Sequence, residues 1–234
     1  MEDVQHIEDV QARANIFRLL GRLLYQPATE SFLQQFQAQD WQDWEEAGCH
    51  FDDDIHQPLH ALHEALCVEF TSLWLAPGGV PVYESVFKTG MVFQHPADEM
   101  AEIYATNGFS FDDQGGKRFS DHLGIEMEFY GELMHRQGQA MAAGDVNETE
   151  RLKAIIKTLL VKHLGIWGPA ALHHSVRAAE HSFYREICGL AMALLDDEIS
   201  ARLPRKEAEQ MKALFNKEPK AMDYDADFRK ASGL

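Results

Sequence analysis

Apolar residues almost encircle the stretch that follows Ser120-Asp121-His122. In Leu123-Gly124-Ile125-Glu126-Met127-Glu128-Phe129-Tyr130, and on through Leu133 and Met134, they wrap too far round a helix for a surface element. Such a helix has to be covered by neighbours on several sides. A helix start exposes free backbone N–H groups, so Ser120 or Asp121 is the expected cap, and Glu126 is expected to be partly buried.

The rest of the chain supplies helices to do the covering. Ile16, Leu19, Leu20, Leu23 and Leu24 recur at helical spacing and stop at Tyr25-Gln26-Pro27. Phe32, Leu33 and Phe36 mark a second, short helix, followed by an acidic loop from Asp40 to Asp54. Leu59, Leu62, Leu66, Phe70 and Leu73 form one stripe of a helix expected to run to Trp74, where Ala76-Pro77-Gly78-Gly79-Val80-Pro81 breaks it and Tyr83 to Phe87 continues as loop. Pro96 to Thr106 is a short helix ending at Asn107-Gly108, and Asn147 with Glu150 offers an N-cap for a helix bearing Leu152, Ile155, Ile156, Leu159 and Leu160. Lys162 to Pro169 reads as its terminator, and Val176, Phe183, Ile187, Leu190 and Leu194 as one more long helix. No strand alternation is visible. The expectation is an all-α fold, a single bundle of about seven to nine helices over residues 1–203, with 204–234 a peripheral helix and polar, frayed tail.

Charge narrows the partners. With 234 residues and 45% hydrophobic content the chain can bury one substantial core. Its 21 basic residues against 38 acidic ones leave −17 at pH 7, which disfavours nucleic acid and anionic membranes and suits basic peptides. Neither a secretory leader nor a membrane-spanning run is legible, and Cys49, Cys67 and Cys188 form no metal-like spacing. The expectation is a reduced, cytoplasmic protein without stable membrane insertion, with Cys67 and Cys188 as small buried core residues.

Chemistry-bearing patterns are sparse. Gly78-Gly79 lacks the lysine and preceding strand of a phosphate loop, and Asp52-Asp53-Asp54 lacks the alternation and glycine turn of a calcium loop. Ser85, Asp121 and His122 can be drawn as a nucleophilic triad, but no G-x-S-x-G elbow accompanies them, so no catalytic residue is assigned. His122 and Glu126 stand at i, i+4, a spacing that can chelate. With two ligands only, no metal site is assigned, and a metal-binding or hydrolytic helical protein using this pair stays as the alternative reading.

Several short motifs nevertheless fall in a shared order: Glu69-Phe70 with Leu73, Ala76-Pro77-Gly78, Pro81, Tyr83-Glu84-Ser85-Val86-Phe87, Asp121-His122-Leu123 with Glu126 and Phe129, His163-Leu164 with Trp167, and Glu180-His181 with Phe183-Tyr184. In these the sequence resembles the TorD/DmsD/NarJ family of molybdoenzyme-maturation chaperones, over roughly residues 10 to 200. The resemblance implies an all-helical cytoplasmic chaperone, not an enzyme. It would bind the twin-arginine leader peptide and apo form of a molybdopterin-dependent oxidoreductase, holding it back from export until the cofactor is inserted. It implies a leader-peptide site comprising Phe70, Trp74, Pro81, Tyr83, Glu84, Ser85, Phe87, Asp121, His122 and Glu126. Physically, Glu84, Asp121 and Glu126 would accept guanidinium donors, and Phe70, Trp74, Tyr83 and Phe87 would supply apolar surface.

Some members of that family are linked to guanine nucleotide, which the resemblance admits as a cofactor although no phosphate loop is visible; otherwise none is expected. A monomer is expected, with the loops at Ala76 to Val82 and Gly108 to Gly116 as hinges through which two protomers could exchange halves. The turn Gly78-Gly79-Val80-Pro81-Val82-Tyr83 departs from the proline- and tryptophan-richer DmsD branch, so the client enzyme is left open.

Overall fold

The structure is a computed structural model and describes residues 2–39, 41–111 and 119–220. Its described part is all-helical: eleven α-helices, one 3₁₀ turn and one π turn, with no strand among the described residues. The helices are α1 (Glu2–Tyr25), α2 (Glu30–Gln37), α3 (Gln42–Glu46), α4 (Leu59–Phe70), α5 (Glu84–Thr89), α6 (His95–Thr106), α7 (Leu123–Ala142), α8 (Val146–Lys162), α9 (Leu164–Ala178), α10 (Ser182–Arg202) and α11 (Arg205–Lys212). The expected fraying of 223–234 and the hinge at 112–116 lie outside the described residues.

Helix α7 is the axis, as its wide apolar surface requires. Thirteen of its residues are buried, among them Phe129, Tyr130 and Leu133 at no exposure. Helix α1 lies antiparallel along it at very short range. Gly124 and Gly131 of α7 are seven residues apart and face Gly21 and Ala14 of α1; an added Cβ at Gly124 would come 2.5 Å from the Gly21 carbonyl oxygen, and one at Gly131 2.7 Å from that of Ala14. Only glycine permits this approach. The seam is closed by a buried polar cluster in which Glu198 of α10 accepts from Arg13 Nε at 2.8 Å, Tyr130 Oη at 2.7 Å and Arg202 Nε at 2.6 Å.

Several boundaries differ from expectation, each for a local reason. Tyr83 to Phe87 is not loop throughout, because α5 begins at Glu84. Helix α4 does not run unbroken to Trp74; it ends at Phe70 and passes into a π turn over Thr71–Leu75, where the Ala76 N–H reaches back five residues to the Thr71 carbonyl at 2.8 Å. That extra residue turns Trp74 inward, onto Phe70 and Tyr184, and leaves Leu75 exposed. Asp145 and not Asn147 caps α8, accepting the Glu148 N–H at 3.0 Å. Lys162 to Pro169 is not a terminator: a new helix, α9, starts after a kink at His163 and carries Pro169 inside it. Proline removes one backbone donor there, and burial of Trp167, Ala170, Ala171 and Leu172 on the same helix offsets the loss. The expected acidic loop from Asp40 to Asp54 contains α3, and Cys67 is half-buried where full burial was expected, while Cys49 and Cys188 are buried.

Residues 204–220 are less peripheral than expected. After α11 the chain turns back over α9 and the 76–87 segment: His174 Nε2 lies 3.1 Å from the Lys217 carbonyl oxygen, and the Lys220 N–H donates to the Phe87 carbonyl at 3.0 Å.

Candidate functional site

The 80–87 segment and the start of α7 meet through a single antiparallel bridge between Tyr83 and His122. The Glu84 N–H donates to the Asp121 carbonyl at 2.9 Å and the Leu123 N–H to the Val82 carbonyl at 2.8 Å. Two helices therefore begin back to back, α5 at Glu84 and α7 at Leu123. Each needs acceptors for its first free N–H groups.

The segment before α7 caps both helices. Asp121, expected as a cap of its own helix, accepts the Ser85 N–H with Oδ2 at 2.8 Å and so caps α5, thirty-six positions back. His122 caps α7, its Nδ1 accepting the Gly124 N–H at 3.0 Å. The ring is held edge-on between Tyr25, at 5.2 Å between centroids, and Tyr83, at 5.0 Å. A nucleophilic triad would need His122 Nδ1–H on the Asp121 carboxylate; both groups are instead spent on backbone N–H donors.

Below this junction lie two more acids. Glu84 has no exposure and holds His163 Nδ1 at 2.9 Å with Oε2, while Oε1 takes the Lys88 ammonium four residues along α5. Glu126 is also without exposure; its Oε2 accepts the Trp167 indole N–H at 3.3 Å and its Oε1 has no partner. Burial pushes the Glu126 carboxyl well above the ordinary carboxylate range, and the nearby Glu84 and Asp121 carboxylates push the same way. Asp121 is raised as well, by burial first, against the hydrogen bonds from Ser85. Burial thus favours the neutral form of Glu126, and the cluster resists carrying three negative charges at once.

Of the ten residues expected to form a leader-peptide site, the structure gathers Tyr83, Glu84, Ser85, Asp121 and His122 at the bridge, with Glu126 and Phe87 beneath it. Phe70 and Trp74 sit behind the 76–82 turn, where the Trp74 indole donates to Ser175 Oγ at 3.0 Å. Eight of the ten are buried; only Pro81 and Tyr83 are partly exposed. The carboxylates expected to face a guanidinium are consequently committed inside the protein.

What is open is the rim. Trp74, Leu75, Pro77, Pro81, Tyr83 and Val86 line a mostly apolar cavity of about 440 Å³ whose remaining wall is Pro219 and Lys220. The turn that forms it is pinned, not loose, by Val80 N–H on the Leu73 carbonyl at 2.7 Å. Sequence reading missed Pro219 and Lys220, since nothing in a polar tail signals a return to a distant loop. Glu69 of the motif set takes the Glu180 and His181 N–H groups, at 2.8 and 3.3 Å. Among the described residues, no group of three or more His, Cys, Asp or Glu could hold a metal ion. No described helix is long and apolar enough to cross a membrane.

A comparison with protein families matches residues 26–172 to the nitrate reductase delta subunit family. The chain belongs to that family. The match takes in all ten residues named for the site, running from just after α1 through the 76–87 segment and the start of α7 into α9, and it agrees with the resemblance carried by the short motifs. Nitrate reductase delta subunits of this type are molybdoenzyme-maturation chaperones rather than enzymes. None of the curated proteins compared with the chain matches it.

Proposed function

We propose that the chain is a cytoplasmic chaperone that binds the twin-arginine leader peptide of an apo-molybdoenzyme and holds the enzyme back from export until its cofactor is inserted. The observation that carries the reading is the apolar cavity between the 74–86 segment and Pro219-Lys220, one of whose lining residues, Tyr83, is bridged to His122 at the start of α7. Leu75, Pro81 and Tyr83 meet the apolar part of the peptide. Phe70, Trp74, Glu84, Ser85, Phe87, Asp121, His122 and Glu126 act by fixing the shape of that surface. A disordered leader loses chain entropy on binding, so micromolar affinity is the expectation.

Isothermal titration of the full chain with leader peptides of molybdoenzymes tests this. Binding is expected, with a loss of about tenfold or more in Leu75→Glu, a change at an exposed side chain that leaves the fold intact. No heat with any such leader, or full affinity in Leu75→Glu, overturns the proposal.

A further inference from the structure

A second groove, of about 890 Å³, runs along α4 on the side away from the α7 junction. It is lined by Glu64, Val68 and Glu69 of α4, by Asp54, and by Glu180 and His181 between α9 and α10. Four carboxylates and two histidines line it, and no lysine or arginine does. Two of the acids are spent internally: Glu69 on the Glu180 and His181 N–H groups, and Asp54 on the Ser182 N–H at 2.8 Å. Glu64 and Glu180 are exposed and are not committed to any backbone donor.

Acids alone would be a solvated face; the histidine makes the difference. His181 is only 8% exposed and caps α10, its Nδ1 accepting the Phe183 N–H at 3.2 Å. Asp54 Oδ2, 3.3 Å from the same nitrogen, is already held by Ser182. An Nδ1 that accepts leaves the proton on Nε2, and Nε2 is buried without a partner in a residue that lines the groove. A buried donor without an acceptor is destabilising, which makes it a place for a ligand oxygen.

We infer that this groove docks the basic part of an extended peptide, its guanidinium or ammonium groups meeting Glu64 and Glu180 while a backbone carbonyl accepts from His181 Nε2. The inference rests on the proposed leader-peptide reading for the identity of the peptide. Val68 of this groove, in α4, and Leu75 of the apolar cavity, in the π turn that follows it, lie seven residues apart and are both exposed. Seven helical residues span about 10 Å, or about three residues of extended chain. One peptide can therefore set basic side chains in the first site and an apolar stretch in the second. Recognition of charge is thereby moved from the buried Glu84, Asp121 and Glu126 to open carboxylates.

Two measurements on the full chain test this. The first is titration with a twin-arginine leader and with the same leader carrying glutamine at both arginines, against wild type, Glu64→Gln/Glu180→Gln and His181→Asn. Asparagine keeps the cap and removes Nε2. The expected result is about tenfold weaker binding of the arginine leader in both variants, with the glutamine leader unaffected by Glu64→Gln/Glu180→Gln. The second is the shift of the His181 ring signals in histidine-labelled protein on adding acetyl-Arg-Arg-amide, expected in wild type and absent in Glu64→Gln/Glu180→Gln. Equal affinity for both leaders in wild type, unchanged arginine-leader binding in the variants, or no His181 shift with the dipeptide overturns the inference. If no leader binds but the dipeptide moves His181 in the wild type alone, the leader-peptide function falls and the basic-peptide groove stands.

Discussion

The molecule holds two clusters of acidic side chains that sequence alone cannot rank, and they do opposite things. Glu84, Asp121 and Glu126 are buried beneath the bridge between Tyr83 and His122, each engaged by a group of the protein itself. Glu64 and Glu180 stand on the rim of the α4 groove in water. A carboxylate taken out of solvent is useful only to the partner already beside it, whereas one left in solvent can wait for a partner from outside. The difference teaches that membership of a family motif does not tell an acid's job: Glu84, Asp121 and Glu126 hold the protein's own groups, while Glu180, named in the same motif set, stands in solvent beside Glu64, which no motif names.

The contrast can be broken most forcefully at Glu84. Glu84→Ala strands Lys88 and His163 and is expected to destabilise the chain by about 3 kcal/mol in urea unfolding, the scale for removing one partner of a buried pair. A loss below about 0.5 kcal/mol would mean that the pair is not formed. Asp121→Ala removes the acceptor of the Ser85 N–H and should lose about 1 to 2 kcal/mol by the same measurement, a capping effect that comes from a different helix.

Glu126 sharpens the comparison through pH. Burial favours its neutral carboxyl in the fold, whereas in the unfolded chain it ionises above its ordinary value of 4.5. The stability it supplies is thus fully present below pH 4.5 and is lost as pH rises through the unfolded value towards the raised, folded one. Glu126→Gln keeps an oxygen for the Trp167 indole and cannot ionise. The variant should match wild type near pH 4 and become progressively the more stable of the two up to pH 8, read as a difference in thermal midpoints; parallel curves would show that Glu126 is ionised in the fold. The smallest effect is expected in the open cluster, where Glu64→Gln/Glu180→Gln should leave the unfolding midpoint unchanged.

Helical periodicity carried most of the fold. The stripes of α1, α4, α6 and α8 are local facts, and local spacing suffices to read them; the stripe expected as one helix from Val176 to Leu194 is instead divided, Val176 lying in α9 and Phe183 to Leu194 in α10. What escaped depends on distant partners. Helix α5 was read as loop because its cap, Asp121, is supplied from far along the chain. Helix α9 was read as a stop because Pro169 is an unfavourable local choice that burial of Trp167 and its neighbours outweighs. The seven-residue spacing of Gly124 and Gly131 was in the sequence, but its meaning needs α1 alongside. For the site, the motifs named the right residues to bring together at the junction, and could not say that most of them face inward. The α4 groove was illegible, since Glu64, Glu180 and His181 become neighbours only through tertiary packing.

The close approach of Gly21 to Gly124 has a consequence for where this protein begins as a working object. The region shared with the family starts at residue 26 and ends at 172. It therefore leaves out α1, whose Tyr25 holds one side of the His122 ring, and α10, whose Glu198 ties the helices together. A fragment cut to the shared region would bare a glycine-lined trough along α7 and keep His122 with only one of its two aromatic supports. The part that relatives have in common is recognisable by itself but is not separable, and the site stands on helices that lie beyond it.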